Sequence, residues 1–184
     1  MIERPAADEI WLHVSLAEQR LRRLCGERVL EDYAVSTALR GAGEAFGSER
    51  TPRGWHRVRL RIGAGCPPDT VFVARRPSGE RYRPALAARH PQRDWILCRI
   101  LWLTGLEVGR NRGGGVDSLR RFIYIHGCPD SEPMGVPRSH GCIRMRNAEL
   151  LELFERVPLG CRVLIEEGAF DIPSGSFAKP LKEK

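Results

Sequence analysis

RSHGCIRMRN, residues Arg138–Asn147, sets a serine, a histidine, a glycine and a cysteine side by side. The order His-Gly-Cys also occurs upstream, in IHGC at Ile125–Cys128. A thiol in such company has three chemical uses: nucleophile, metal ligand or disulfide partner. As a nucleophile it needs a lowered pKa or a base beside it, and the base usually comes from elsewhere in the chain. Cys142 and His126 meet that need. The segment Gly127–Arg138, bent by Pro129, Pro133, Gly135 and Pro137, joins two strand ends and brings both side chains into one cleft. Gly141 leaves room for backbone N–H groups beside Cys142 to face a developing oxyanion. Arg144 is suited to hold a substrate carboxylate through a bidentate pair.

The metal reading rests on His126, Cys128, His140 and Cys142, two imidazoles and two thiols. Such a Cys2His2 module would bind rather than catalyse. Its pairs are His-x-Cys, tighter than the spacing usual in zinc ribbons, so the reading adopted is no metal and no cofactor. A reversible Cys128–Cys142 disulfide that masks the nucleophile is a further expectation, motivated by two thiols near one cleft. Cys25, Cys66, Cys98 and Cys161 have no ligand-like spacing and read as small core or surface residues. His13, His56 and His90 read as structural or surface histidines.

Upstream of the motif the chain reads as consecutive short strands. Ile10, Leu12 and Val14 alternate with Trp11, His13 and Ser15; runs at Leu21–Leu24 and Val29–Val35 flank a turn at Cys25–Arg28 and complete a meander. Thr51-Pro52-Arg53-Gly54 is a tight-turn signal before a strand at Trp55–Ile62, where Arg57, Arg59 and Arg61 form the solvated face. Thr70–Ala74 is β-rich, Pro77–Asp94 reads as a loop, and Ile96–Glu107 fits strand or buried helix equally. Gly109–Asp117 is a glycine-rich turn without the context of a phosphate loop. Phe122–Ile125 is a strand delivering His126 at its end. Asn147 is the expected N-cap of a helix spaced by Leu150, Leu151, Leu153, Phe154 and Val157, and Arg162–Ile165 begins a last strand.

With 184 residues and 42% hydrophobic content the chain suits one domain. The formal charge of +7 favours anionic partners, yet arginine supplies all but three of the 30 basic residues and is scattered. No nucleic-acid signature accompanies it, so no nucleic-acid partner is expected. No apolar run reaches the length of a membrane span. The start, MIERPAADEIWLHVSL, carries Glu3, Arg4, Asp8 and Glu9 where a secretory signal has a basic patch and an apolar stretch; the expectation is no export signal.

Ile125–Gly127 with Ser139–Met145 resembles the active-site signature of the L,D-transpeptidase (YkuD) catalytic domain family. The opening strands, the Gln19 turn, Ser36-Thr37 and Thr51-Pro52-Arg53-Gly54 resemble the family's N-terminal sheet, so the likeness covers roughly residues 10 to 166. It implies a mainly β domain, a sandwich of mixed sheets with one or two short helices. Residues 1–9 then read as an extension, 10–168 as the catalytic domain and 169–184 as a flexible tail, with disorder expected at Phe177–Lys184.

The resemblance also implies a peptidoglycan-remodelling cysteine acyltransferase whose partners are stem peptides. Cys142 attacks the bond between the diamino acid and D-alanine, and an amine of a second stem resolves the thioester into a 3–3 cross-link. Water in its place makes an L,D-carboxypeptidase. By the same resemblance His126 is general base and acid, oriented by the backbone of Gly127. The N–H groups of His140, Gly141 and Cys142 form the oxyanion hole, His140 lines the cleft, and Ser139, Arg144 and Tyr124 hold substrate. Family members commonly carry threonine or another small residue where this chain has Cys128. The family implies the cell envelope; the missing leader leaves a cytoplasmic location open. Acceptor choice and oligomeric state are not encoded in any motif.

Overall fold

The computed structural model describes residues 5–171, and the tail expected at Phe177–Lys184 lies outside them. The expected meander is present as antiparallel β1 (Ile10–Ser15), β2 (Arg20–Cys25) and β3 (Arg28–Ala34). β10 (Arg162–Glu166) runs parallel to β1 and antiparallel to β4 (Gly54–Ile62), so the two ends of the domain meet inside the sheet. β4 pairs with β7 (Ile96–Gly105), whose other edge carries β5 (Thr70–Val73) and β8 (Tyr124–Cys128). β6 (Arg76–Arg81) pairs with β5, and β9 (Ile143–Arg146) lies parallel to β8. All ten strands belong to one curled mixed sheet, accompanied by the short helices α1 (Pro84–Arg89) and α2 (Asn147–Arg156). The fold is the mainly β architecture that the motif implied.

Curling brings the inner faces of β1, β2, β7, β8, β9 and β10 together. Leu12, Val14, Leu21, Leu101, Leu103, Ile125, Ile143 and Val163 fill the space between them, each fully buried. α2 closes this core with Leu150, Leu153 and Phe154, spaced to fall on one helical face. β8 and β9 thus enter the site from the best-packed part of the molecule.

Several sequence expectations change. Pro77–Asp94 is not a plain loop: it contains β6 and α1, whose Pro84 suits a helical first turn because no intrahelical partner is needed there. None of the residues of α1 is fully buried, which is why no apolar period marked it. The ambiguous Ile96–Glu107 segment forms the strand β7 over Ile96–Gly105, buried on both faces and therefore without alternation. A register shift between Val58 and Leu60 breaks the proposed arginine face. Leu60 turns outward and is 42% exposed, while Arg61 turns inward to donate to the Phe154 carbonyl at 2.5 Å. His126 lies in the middle of β8 rather than at a strand end. Arg146, not Asn147, holds the N-cap position of α2, and Asn147 is the first helical residue. The Gly54 turn has the expected positive φ, +90°.

Phe154 carries both the helix contact and the Arg61 guanidinium, 4.4 Å from its ring centroid. Phe154→Ala should lower stability by about 3–5 kcal/mol and Tm by roughly 10 °C. A denaturant-unfolding loss below about 1 kcal/mol would show that α2 does not close the core.

Candidate active site

Parallel pairing of β8 with β9 aligns Ile125 with Ile143 and His126 with Arg144. Cys142 immediately precedes β9, with its thiol donating to the Phe122 carbonyl and accepting from the Tyr124 N–H, both at 3.4 Å. It is half-buried. Loss of water contact pushes the thiol up to about 12, against the Tyr124 N–H and the Arg144 and Arg121 guanidinia, which favour the thiolate; the nearby Asp94 carboxylate opposes it. At neutral pH this sulfur is a thiol.

His126 is 1% exposed. Burial lowers its pKa below the ordinary imidazole value despite Asp94 and the Gly127 carbonyl, which both favour the charged ring. Nδ1 lies 2.8 Å from the Gly127 carbonyl oxygen, an acceptor, so Nδ1 bears the hydrogen and the neutral ring keeps its lone pair on Nε2. The expected orienting role of Gly127 thus has its geometry.

The cysteine loop is held by its own Ser139 and by three distant segments. Ser139 Oγ donates to the Cys142 carbonyl at 2.5 Å and accepts from the Gly141 N–H at 3.1 Å. Thr51 Oγ1 donates to the Gly141 carbonyl and accepts from the Ala38 N–H, both at 3.0 Å. The Thr37 carbonyl takes the N–H groups of Arg138 and Ser139, while the Gln19 side chain bonds the Thr37 N–H and hydroxyl. Ser36 exchanges two backbone bonds with Arg144. The Gln19 turn, Ser36-Thr37 and the Thr-Pro-Arg-Gly turn are the clamps of the Ser-His-Gly-Cys loop. Gly141 has φ +133°, and a Cβ there would meet the Arg50 carbonyl at 3.3 Å, so glycine is required.

The other expected residues divide. Tyr124 is buried, edge to face with Trp102 at 5.6 Å. His140 is exposed, with Nδ1 3.4 Å from Asp94. The Arg144 guanidinium, expected at a substrate carboxylate, is already paired with Asp94 at 2.7 Å and Glu132 at 3.2 Å. The Gly141 N–H, expected in the oxyanion hole, donates to Ser139. Asp94 links Arg144 and His140 and acts on His126, a position the sequence did not reveal, since it ends a stretch read as loop. Arg121 was also missed: it donates to the carbonyls of Gly43, Glu44 and Arg50 and to Ser48, tying down the loop beside Cys142.

Cys128 turns away from this cleft. Its thiol donates to the Met145 carbonyl at 3.5 Å. The β8–β9 register sets Cys142 level with Tyr124, four residues from Cys128, or roughly 13 Å along the strands at about 3.3 Å per residue. A disulfide needs Cα atoms within about 7 Å, so the masking bridge has no geometry here. Among the described residues no group of three or more His, Cys, Asp or Glu side chains is placed to hold a metal ion.

The L,D-transpeptidase catalytic domain (YkuD) sequence profile matches residues 9–165, and the chain belongs to that family. YqjB of Bacillus subtilis (strain 168) is 47% identical over 47 residues, covering 26% of this chain and 27% of its own. YbiS of Escherichia coli (strain K12) is 46% identical over 43 residues, covering 23% and 14%. Both are provisionally named L,D-transpeptidases, and the match spans only a minor part of each. Among solved structures, the L,D-transpeptidase (residues 123–326) from Xylanimonas cellulosilytica DSM 15894 superposes with a TM-score of 0.51 at 22% identity, over 90% of this chain and 65% of that one. The Enterococcus faecium L,D-transpeptidase C442S mutant gives 0.53 at 15%, over 86% and 50%. At these identities the likeness is one of fold.

Thr51→Val keeps the side-chain shape and removes the hydroxyl, leaving the Ala38 N–H and the Gly141 carbonyl without it. It should cost about 2 kcal/mol or more, read as a lower midpoint of denaturant unfolding. An unchanged midpoint would mean that the loop does not depend on this clamp.

Proposed function

We propose that the chain is a cysteine acyltransferase acting on peptidoglycan stem peptides, cleaving the bond between the diamino acid and D-alanine and passing the acyl group to an amine of a second stem. The observation that carries this reading is a half-buried thiol on a clamped loop leading into β9, paired with β8, the strand that carries a buried histidine whose tautomer leaves Nε2 basic. Family membership supplies the reaction class.

Both partners start neutral, so the thiol gives its proton to His126 Nε2 as sulfur bonds to the carbonyl carbon. The resulting oxyanion is assigned to backbone N–H groups beside Cys142, with those of His140 and Cys142 as the principal donors because Gly141's already serves Ser139. Collapse of the tetrahedral species breaks the C–N bond, and the imidazolium returns its proton to the departing D-alanine amine. The incoming amine then attacks the thioester, gives its proton to His126, and the thiolate leaves and is reprotonated. In this reading Arg144 positions the site through Asp94 and Glu132, and Ser139 shapes the loop rather than touching substrate.

The test is mass spectrometry of a stem tetrapeptide incubated with reduced protein. Loss of D-alanine should require Cys142 and disappear in Cys142→Ala and His126→Ala. Cross-linked dimers identify the acceptor as an amine; tripeptide alone identifies it as water and makes the enzyme a carboxypeptidase. Release undiminished in Cys142→Ala would overturn the reading.

A neutral-base mechanism also fixes a pH dependence. His126 must be unprotonated, and its pKa is lowered, so kcat/KM should rise with a midpoint below about 6.5. A rising limb that lay instead in the alkaline range, toward the raised value of the buried thiol, would mean that solvent ionises Cys142 and that His126 is not its base.

A further inference from the structure

Arg144 was the cation expected to meet a substrate carboxylate, and two protein carboxylates occupy it. Arg121 is engaged by four loop acceptors, and Arg99 donates to the carbonyls of Cys66 and Cys98. The guanidinium of Arg75 lies against Phe122 and Tyr124, the two residues whose backbone bonds the thiol. It stands at the tip of the β5–β6 hairpin, 4.7 Å from the centroid of the Phe122 ring and 5.1 Å from that of Trp102, and beside the Tyr124 phenol. Among the described residues none of the ion pairs includes Arg75; its neighbours are aromatic faces and one hydroxyl.

Those neighbours tie Arg75 to the reacting sulfur through two routes. Phe122, whose ring lies under the guanidinium, supplies the carbonyl that the Cys142 thiol bonds at 3.4 Å. Tyr124, whose phenol faces Arg75, supplies the N–H that bonds the same sulfur. Backbone strain marks the same place. Ala74 and Arg75 have φ of +46° and +66°, the geometry of a two-residue hairpin turn that favours Asn-Gly, and Phe122 has φ +58°. An arginine held in an unfavourable conformation, on aromatic rings and without an acid, is a built site for an anion.

We propose that the Arg75 guanidinium, over Trp102 and Phe122 and beside Tyr124, receives the α-carboxylate of the residue that leaves, so that the site selects peptides ending one residue beyond the scissile carbonyl. The carboxylate of a terminal residue lies about 3.5 Å per residue along the chain from that carbonyl, so its cation belongs beside rather than at the thiol. The assignment rests on the acyl-transfer reading, and the two fail in different experiments.

The test is calorimetric binding to full-length Cys142→Ala protein, which cannot turn over. The probes are a stem tetrapeptide with a free C-terminal carboxylate and its C-terminal amide. The acid should bind on the order of tenfold more tightly than the amide, the effect of one charge-assisted hydrogen bond at a partly exposed site. Adding Arg75→Ala should bring the ratio near one, and Arg75→Lys should restore part of it. Equal binding of acid and amide, a ratio that survives Arg75→Ala, or no binding of either peptide overturns the assignment. Acid selectivity through Arg75 without any release of D-alanine by protein carrying Cys142 would instead leave the subsite standing and sink the acyl-transfer reading.

Discussion

The cysteine loop has to bury backbone without belonging to a full strand ladder. Between Arg138 and Cys142 the chain leaves one strand path and joins another, and its carbonyls and N–H groups need partners inside the protein. Ser139 and Thr51 supply them by donating and accepting at once, each spanning two backbone groups. An unmet pair of this kind costs about 1–3 kcal/mol per group, comparable to a large part of a domain's net stability. Much of the molecule can be read as what is needed to bring these hydroxyls to one place. The β1–β2 turn holds Gln19 at φ +52° so that its amide reaches Thr37, and Thr37 in turn holds Arg138 and Ser139.

That rigidity has an electrostatic consequence. The same burial that fixes the loop raises the thiol and lowers the imidazole, so neither group is charged before substrate arrives. A resting thiolate would be more reactive and more easily oxidised. In the proposed mechanism reactivity depends on proton transfer from Cys142 to His126, and charge appears only when the carbonyl is present to take it up. Arg121 and Arg144 favour the thiolate, Asp94 opposes it, and the balance of these three groups bears on how readily Cys142 ionises.

The sequence made the candidate site more legible than the surrounding architecture. His126 and Cys142 could be singled out as candidates because a nucleophile and its base must be specific residue types, and the meander was readable because its strands alternate. Gln19, Thr37 and Thr51 could be seen as part of a pattern, but their purpose appears only when the curled sheet brings residues 90 positions apart into contact, as with Thr51 and Gly141. Asp94 and Arg75 carried no signal. One closes a polar stretch and the other sits on a hairpin tip without an Asn-Gly marker, and their importance comes from proximity. Arg61 was misread for a related reason, since a bulge reverses which side of a strand faces solvent and leaves no trace in local composition. The proposed link between Cys128 and Cys142 failed on register, which motif spacing does not encode.

The central claim is that the clamped Cys142 sulfur takes the acyl group. The most direct measurement is rapid-quench intact mass analysis of the protein mixed with a stem tetrapeptide, followed by proteolysis to locate the adduct. The account predicts a gain equal to the tetrapeptide minus D-alanine, carried by the fragment containing Cys142 and absent when that residue is alanine. An acyl group on Cys128, Cys98 or any other residue, or D-alanine release with no covalent species at Cys142, would contradict it.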